Sequence, residues 1–221
     1  MAAACDAAAI VRLADLHPRS GLYLLAVPDD AIAGVARRLG AVLPASALVA
    51  HTSGATPTAL LAAHFERAAV FYPLQSFATG RAVSWESLPL CVHAQDADDL
   101  EQLEMLAAKI TTTVHRIDDA QRAALHVAAV FVNNFTNYLY GVGEELTQTQ
   151  NVPFELLLPL VRESVDRLGT APARALQTGP AVRGDTETQQ RHLALLEKHP
   201  DYQQLYRLLS KLIAEDTPKN A

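Results

Sequence analysis

A chain of 221 residues, half of them hydrophobic, can bury a sizeable core as one large domain or two smaller ones, and it is too apolar for wholesale disorder. Its 18 Lys and Arg against 24 Asp and Glu leave a formal charge of −6 with no basic run, which argues against a nucleic-acid partner. No apolar run reaches the roughly 20 residues that cross a bilayer, the opening MAAACDAAAI lacks the regions of a signal peptide, and Cys5 and Cys91 have no second Cys at short spacing. The expectation is a soluble cytoplasmic protein without membrane span, disulfide framework or metal site.

Residues 21–27 (GLYLLAV) form a short apolar run that stops at Pro28, as a parallel strand buried on both faces does. Asp29 and Asp30 are placed to cap a helix through Leu39, with Gly40 as its stop. Residues 47–50 repeat the strand pattern and open into His51-Thr52-Ser53-Gly54, ahead of a small-residue helix over 56–64. A third run, 68–71, ends in Tyr72-Pro73-Leu74-Gln75. A fourth, 88–92, precedes an acidic-capped helix over 96–109, and the β-branched stretch 111–117 is a fifth. Strands alternating with helices predict βαβ units, right-handed crossovers and a mostly parallel sheet.

Residues 118–146 read as one long helix, with Asp118 and Asp119 at its positive end. Leu125, Ala128, Ala129, Val132, Phe135, Thr136 and Leu139 recur at three- and four-residue steps and make an apolar face. His126, Asn133 and Asn137 fall near one azimuth of a 3.6-residue helix, with Asn134 beside them. Such groups are either satisfied inside a helical core or form a polar strip along a substrate cleft. After this helix the strand signals stop. A helix from Pro153 to Leu168 bent at Pro159, a loop over 169–185, helices over 187–198 and 202–214, and a frayed tail from Glu215 complete the chain. The predicted division is a first domain over 1–117 and a helical one over 118–221.

Ligands of open α/β sheets sit beyond the carboxyl ends of the strands. Here those ends carry Pro28-Asp29-Asp30, His51-Thr52-Ser53-Gly54 and Tyr72-Pro73-Leu74-Gln75, which can converge on one crevice. Pro, Asp, Ser and Gly also belong in ordinary turns, whereas a turn requires neither His51 nor Gln75. A Ser53–His51–Asp hydrolase lacks the G-x-S-x-G elbow, and the eight His show no metal spacing. Arg183 in Arg183-Gly184-Asp185 offers a fork for a carboxylate or phosphate, and Asp185 can cap the next helix. No G-x-G-x-x-G follows a strand anywhere in the chain.

The segments LLAVPDDAI, AHTSGA, YPLQSF, LHVAAVFVNNFTNYL and TGPAVRGD, with Arg191-His192-Leu193 after them, resemble Rossmann-like proteins bearing the C-terminal domain of unknown function 2520. These are similar in layout to pyrroline-carboxylate, ketopantoate and phosphogluconate-type reductases. The family usually has His where Tyr72 stands. The resemblance implies a Rossmann-like parallel sheet followed by an all-helical domain that often forms dimers, and NAD(P)-linked reduction of a small substrate. Family members begin with a strand, glycine loop, helix and strand that this sequence does not show, so an N-terminally truncated chain with an incomplete cofactor site is expected.

The resulting expectation is an NADP- or NAD-dependent oxidoreductase, acting on a small molecule, that forms a homodimer. Val27, Pro28, Asp29 and Thr52 would meet the cofactor, and His51, Ser53, Gln75 and Arg183 the substrate. His126 would be the general acid, with Asn133 and Asn134 orienting the substrate. The alternative is a non-enzymatic ligand-binding or dimerisation module that keeps the reductase fold.

Overall fold

In the computed structural model, which describes residues 12–17, 20–77, 80 and 82–217, five strands form one sheet in the order β1-β2-β3-β4-β5. They are β1 (Tyr23–Leu25), β2 (Leu48–His51), β3 (Arg67–Pro73), β4 (Leu90–Ala94) and β5 (Val114–Arg116). Each lies inside or around one of the apolar runs of the sequence. β1 pairs with β2, β2 with β3 and β4 with β5 in parallel, while β3 and β4 run antiparallel with Tyr72 opposite Cys91. The antiparallel pair departs from the βαβ expectation for a topological reason. Among the described residues between Pro73 and Leu90 no helix forms, and a parallel return needs a crossover of a dozen or more residues, usually helical.

The helices α1 (Asp29–Gly40), α2 (Ala59–Ala62) and α3 (Ala97–Ala107) cover this sheet. Ile32, Ala36 and Leu39 of α1 pack with Tyr23, Leu25, Val49 and Ala68, and Leu103 and Ala107 of α3 pack with Leu48, Ala50, Ala69 and Val92. Alternate residues of β2 thus enter the two clusters, which makes it a central strand buried on both faces. β1 differs from expectation: it is an edge strand, and Leu24 is 44% exposed. α1 also begins differently. Pro28 occupies its N-cap with no side-chain bond, and Asp29 and Asp30 already lie in the first turn. Before β1, Leu13–Asp15 form a short 3-10 turn.

The long helix expected over 118–146 is three consecutive segments: α4 (Asp119–Ala129), a π-helical segment Val130–Phe135, and α5 (Thr136–Gln148). Asp118 caps α4 in a reciprocal box with Gln121. The chain divides into two compact units, Met1–Asn134 and Phe135–Ala221. The strands end near the predicted boundary at Ile117, but the compact unit runs further. Leu125 of α4 packs on Val70, Tyr72 and Cys91, so the start of the helix belongs to the sheet's core.

The second unit continues with α6 (Leu158–Asp166), α7 (Thr186–Leu195) and α8 (Pro200–Asp216). Pro159 does not bend a helix. A 3-10 turn, Phe154–Leu157, precedes α6, and Pro159 sits in the first turn of α6, where its missing N–H costs nothing. Asp185 caps α7 by accepting from Thr188 N–H at 3.0 Å, as expected. The tail expected to fray from Glu215 is helical through Asp216. Among the described residues of this unit, Ala181 and Leu196 alone are buried hydrophobics, while Leu156, Leu160, Leu195 and Leu208 are largely exposed.

Candidate functional site

The carboxyl ends of β1, β2 and β3 lie along one edge of the sheet because the three strands are parallel. At the end of β2, Ser53 Oγ accepts from the N–H groups of Ala55 and Thr56, at 3.1 and 2.9 Å, and folds HTSGAT into a tight loop. Thr52 donates its hydroxyl to Leu25 O at 3.3 Å and ties that loop to β1. His51 is fully buried, and its Nδ1 accepts from Ser53 N–H at 3.2 Å, so its hydrogen sits on Nε2. Burial, helped by the nearby Arg122 charge, lowers the His51 pKa to about 4.

The start of α4 is clamped to this loop. Asp119 accepts from Thr58 N–H at 2.8 Å, from the Thr58 hydroxyl at 2.6 Å and from Arg122 Nη1 at 2.8 Å. Arg122, 1% exposed, donates through Nη2 to Thr56 O. Burial works against the Asp119 charge, but the bonds from Thr58 and Arg122 outweigh it and hold the carboxyl below its ordinary range.

One turn after Arg122, this clamp delivers His126 to the sheet edge. His126 Nδ1 lies 3.4 Å from the Tyr72 hydroxyl, with the two rings edge to face at 6.4 Å between centroids. Both stand over Gly54, where an added Cβ would come 2.5 Å from His126 Nδ1 and 2.8 Å from Tyr72 Cζ. The absence of a side chain at 54 is what lets the pair approach. Burial pushes the Tyr72 phenol above its ordinary pKa.

An open cleft of about 480 Å³ begins at this pair. Tyr72, Gln75, Ser76, His126, Asn133 and Asn134 supply its polar lining, and Leu74, Leu125, Ala128 and Val132 are among its apolar walls. Asn133 Nδ2 donates to Ser76 Oγ at 2.8 Å and to Asn134 Oδ1 at 3.4 Å. Both asparagines belong to the π-helical segment, a helix form frequent at functional sites.

Of the residues singled out in the sequence, the structure brings Gln75, His126, Asn133 and Asn134 together on this cleft. His51 and Ser53 lie beneath it in the β2 loop, buried and bonded within that loop. Val27, Pro28, Asp29 and Thr52 lie at the ends of β1 and β2, around the start of α1. Arg183 belongs to the second unit, in the turn before α7, and Asn137 belongs to α5. His126 and Asn133, expected near one azimuth, both line this cleft, with Asn133 in the π-helical segment. Sequence reasoning missed the parts played by Tyr72, Gly54 and the Thr58–Asp119–Arg122 clamp. Tyr72 and Gly54 stand in the YPLQSF and HTSG stretches, but their pairing with His126 is a contact between distant segments.

Two family models cover most of the chain. Residues 4–75 match a Rossmann-like domain, and residues 88–213, more than half the chain, match the domain of unknown function 2520. The chain belongs to this family. A crystal structure from Bacteroides fragilis, assigned as an NADP oxidoreductase, is 34% identical, with a TM-score of 0.88 over 97% of this chain and 83% of that one. A Thermotoga maritima protein shares 24% identity at a TM-score of 0.71, over 92% of this chain and 80% of that one. An imine reductase from Myxococcus stipitatus, solved with NADP+, shares 16% identity at a TM-score of 0.61, over 92% of this chain and 76% of that one. These two show the fold. No curated protein matches the chain. Among the described residues, no helix is long and apolar enough to cross a membrane.

The strand-end residues fit one half of a dinucleotide. α1 opens with Asp29 and Asp30, whose carboxylates repel a pyrophosphate from that helix N-terminus and can instead accept from ribose hydroxyls. Thr52 and the backbone of Val27–Pro28 add uncharged polar groups beside them. The chemistry of this edge suits a ribose, whereas no glycine-rich phosphate loop occurs in the sequence.

Proposed function

We propose that this protein is an NAD(P)-linked oxidoreductase that reduces a small carbonyl or imine compound. The observation that carries the reading is the convergence of His126, Gln75, Asn133 and Asn134 on one cleft at the carboxyl edge of a Rossmann-like sheet. Val27, Pro28, Asp29 and Thr52 hold the nicotinamide end, and a bound reduced nicotinamide would supply the hydride. His126 lies at the sheet edge, beside Gly54, and donates the proton that reduction requires. Gln75, Asn133 and Asn134 orient the substrate by hydrogen bonds, and His51 and Ser53 hold the β2 loop beneath it. The exposed leucines of the second unit, which buries so few apolar side chains of its own, support a homodimer formed through that unit.

Titration with NADPH and NADH, followed by nucleotide fluorescence, tests this. Saturable binding of either is expected, and His126→Ala and Asn133→Ala should each lower turnover of a carbonyl or imine panel. Binding of neither nucleotide would sink the reading. A non-enzymatic module keeping the reductase fold would then take its place.

A further inference from the structure

The polar groups of the cleft have a hydrogen-bond sense. Gln75 Oε1 accepts from Ser76 N–H at 2.9 Å, and Asn134 Oδ1 accepts from Asn133 Nδ2. These bonds engage the carbonyl oxygens of Gln75 and Asn134 and leave their amide N–H groups to the cleft. Ser76 Oγ accepts from Asn133, so its hydroxyl hydrogen is also left to donate. Asn133 Oδ1 can accept, and Gln75 Oε1 and Asn134 Oδ1 each keep a second lone pair. No Asp, Glu, Lys or Arg occurs among the described residues that line the cleft.

Tyr72 is the partner of His126 Nδ1, 3.4 Å away. If Nδ1 carried the imidazole hydrogen, the phenol oxygen would accept it and its own O–H would turn to the cleft that Tyr72 lines; with the hydrogen on Nε2, the phenol donates and Nδ1 accepts. Nδ1 also faces Gly54, which leaves Nε2 as the ring nitrogen open to a ligand.

We propose that Tyr72 is a positioning residue that holds His126 as a neutral Nε2–H donor and replaces the proton His126 gives up, so that the cleft takes an uncharged ketone or aldehyde rather than a protonated imine. This rests on the reductase reading above. In the reduction, the new C–H bond forms with the hydride electron pair of a dihydronicotinamide, which is oxidised to the nicotinamide cation. The C=O π pair moves to oxygen, which takes the proton from Nε2. Nδ1 takes the phenolic proton in the same step, so no imidazolate forms, and water reprotonates the tyrosinate. A protonated imine already carries the proton that His126 would supply, so it makes no use of an Nε2–H donor.

The test is 15N NMR of the His126 ring in the full chain at neutral pH, for the native sequence and for Tyr72→Phe. Expected for the native protein is a neutral ring protonated at Nε2 with a hydrogen-bonded Nδ1. In Tyr72→Phe the Nδ1 resonance should move downfield as that bond is lost, and the tautomers should mix. A native ring protonated at Nδ1 overturns the proposal even if the variant does not fold, and so does a Tyr72→Phe spectrum identical to the native one. No turnover of any carbonyl, with the NMR pattern intact, removes the reductase reading and leaves the Tyr72–His126 arrangement standing.

Discussion

The Tyr72 hydroxyl and His126 Nδ1 lie 3.4 Å apart although 54 positions separate the two residues, and they meet over Gly54, which has no side chain to part them. In Gly54→Ala, a methyl group 2.5 Å from Nδ1 must displace the imidazole or the phenol. The backbone at 54 needs no left-handed conformation, so the whole effect is steric. The expected cost is about 1–3 kcal/mol in urea unfolding, accompanied by a changed His126 ring signal. An unchanged ring signal would mean that the loop gives way instead.

Asp119 accepts three hydrogen bonds, two from Thr58 and one from Arg122. Asp119→Ala leaves the buried Arg122 guanidinium without its carboxylate and the Thr58 N–H unpaired. Breaking a buried pair from one side costs roughly 3–5 kcal/mol, and the partial exposure of Asp119 places the expected loss near the lower end. Denaturant midpoints would measure it. Since the clamp delivers His126, whatever ligand affinity the cleft has should fall as well.

His51 gives the fold a pH dependence whose sign follows from its depressed pKa, about 4 against an ordinary 6.5. Between these values the unfolded chain binds a proton that the folded chain refuses. The contribution is complete above 6.5 and is lost as pH falls towards 4, amounting to roughly 2–3 kcal/mol. Chemical denaturation at pH 7.5 and pH 4.5 should show this loss. His51→Gln should flatten the difference, and an equal slope in both would assign the acid sensitivity elsewhere.

Asn133 is exposed and bonded to Ser76 across the cleft, so Asn133→Ala should barely move the melting temperature. On the proposed function it should lower kcat/KM by about tenfold to a hundredfold, which is about 1.4–2.7 kcal/mol of transition-state stabilisation. A fall in stability without a fall in kcat/KM would make Asn133 a structural residue.

Leu195, 79% exposed on α7, is a candidate for the homodimer contact. Sedimentation should report a dimer for the native chain and a shift towards monomer for Leu195→Lys, with the helical signal retained. A native monomer would remove the proposed contact.

How much of this was legible in the sequence differs between elements. The apolar runs of β2, β3 and β4 were readable because a strand buried between helices must be apolar nearly residue after residue, whereas β1 and β5 are partly exposed. The Asp118 and Asp185 caps were readable because a cap is made within four residues of its helix. The antiparallel pairing of β3 with β4 was not, since strand direction depends on how the chain returns between them. Pro159 looked like a kink until the preceding turn proved to be 3-10, which moved the start of α6 up to it. The exposure of Leu24 depends on which neighbour β1 has, and one strand's composition does not state its neighbours.

For the site, composition and local pattern determined the candidate side chains: His126, Asn133 and Asn134 on a helix, and Gln75 after a strand. Their physics is short-ranged, because periodicity, capping and strand propensity act within a few residues. The tertiary structure alone decided which of them meet. The cleft brought Asn133 to Ser76, the Asp119–Arg122 clamp set the height of His126, and packing placed Tyr72 beside it over Gly54. Those contacts join segments tens of residues apart, and their energy exists only once the sheet has formed, so no local pattern in the chain records them.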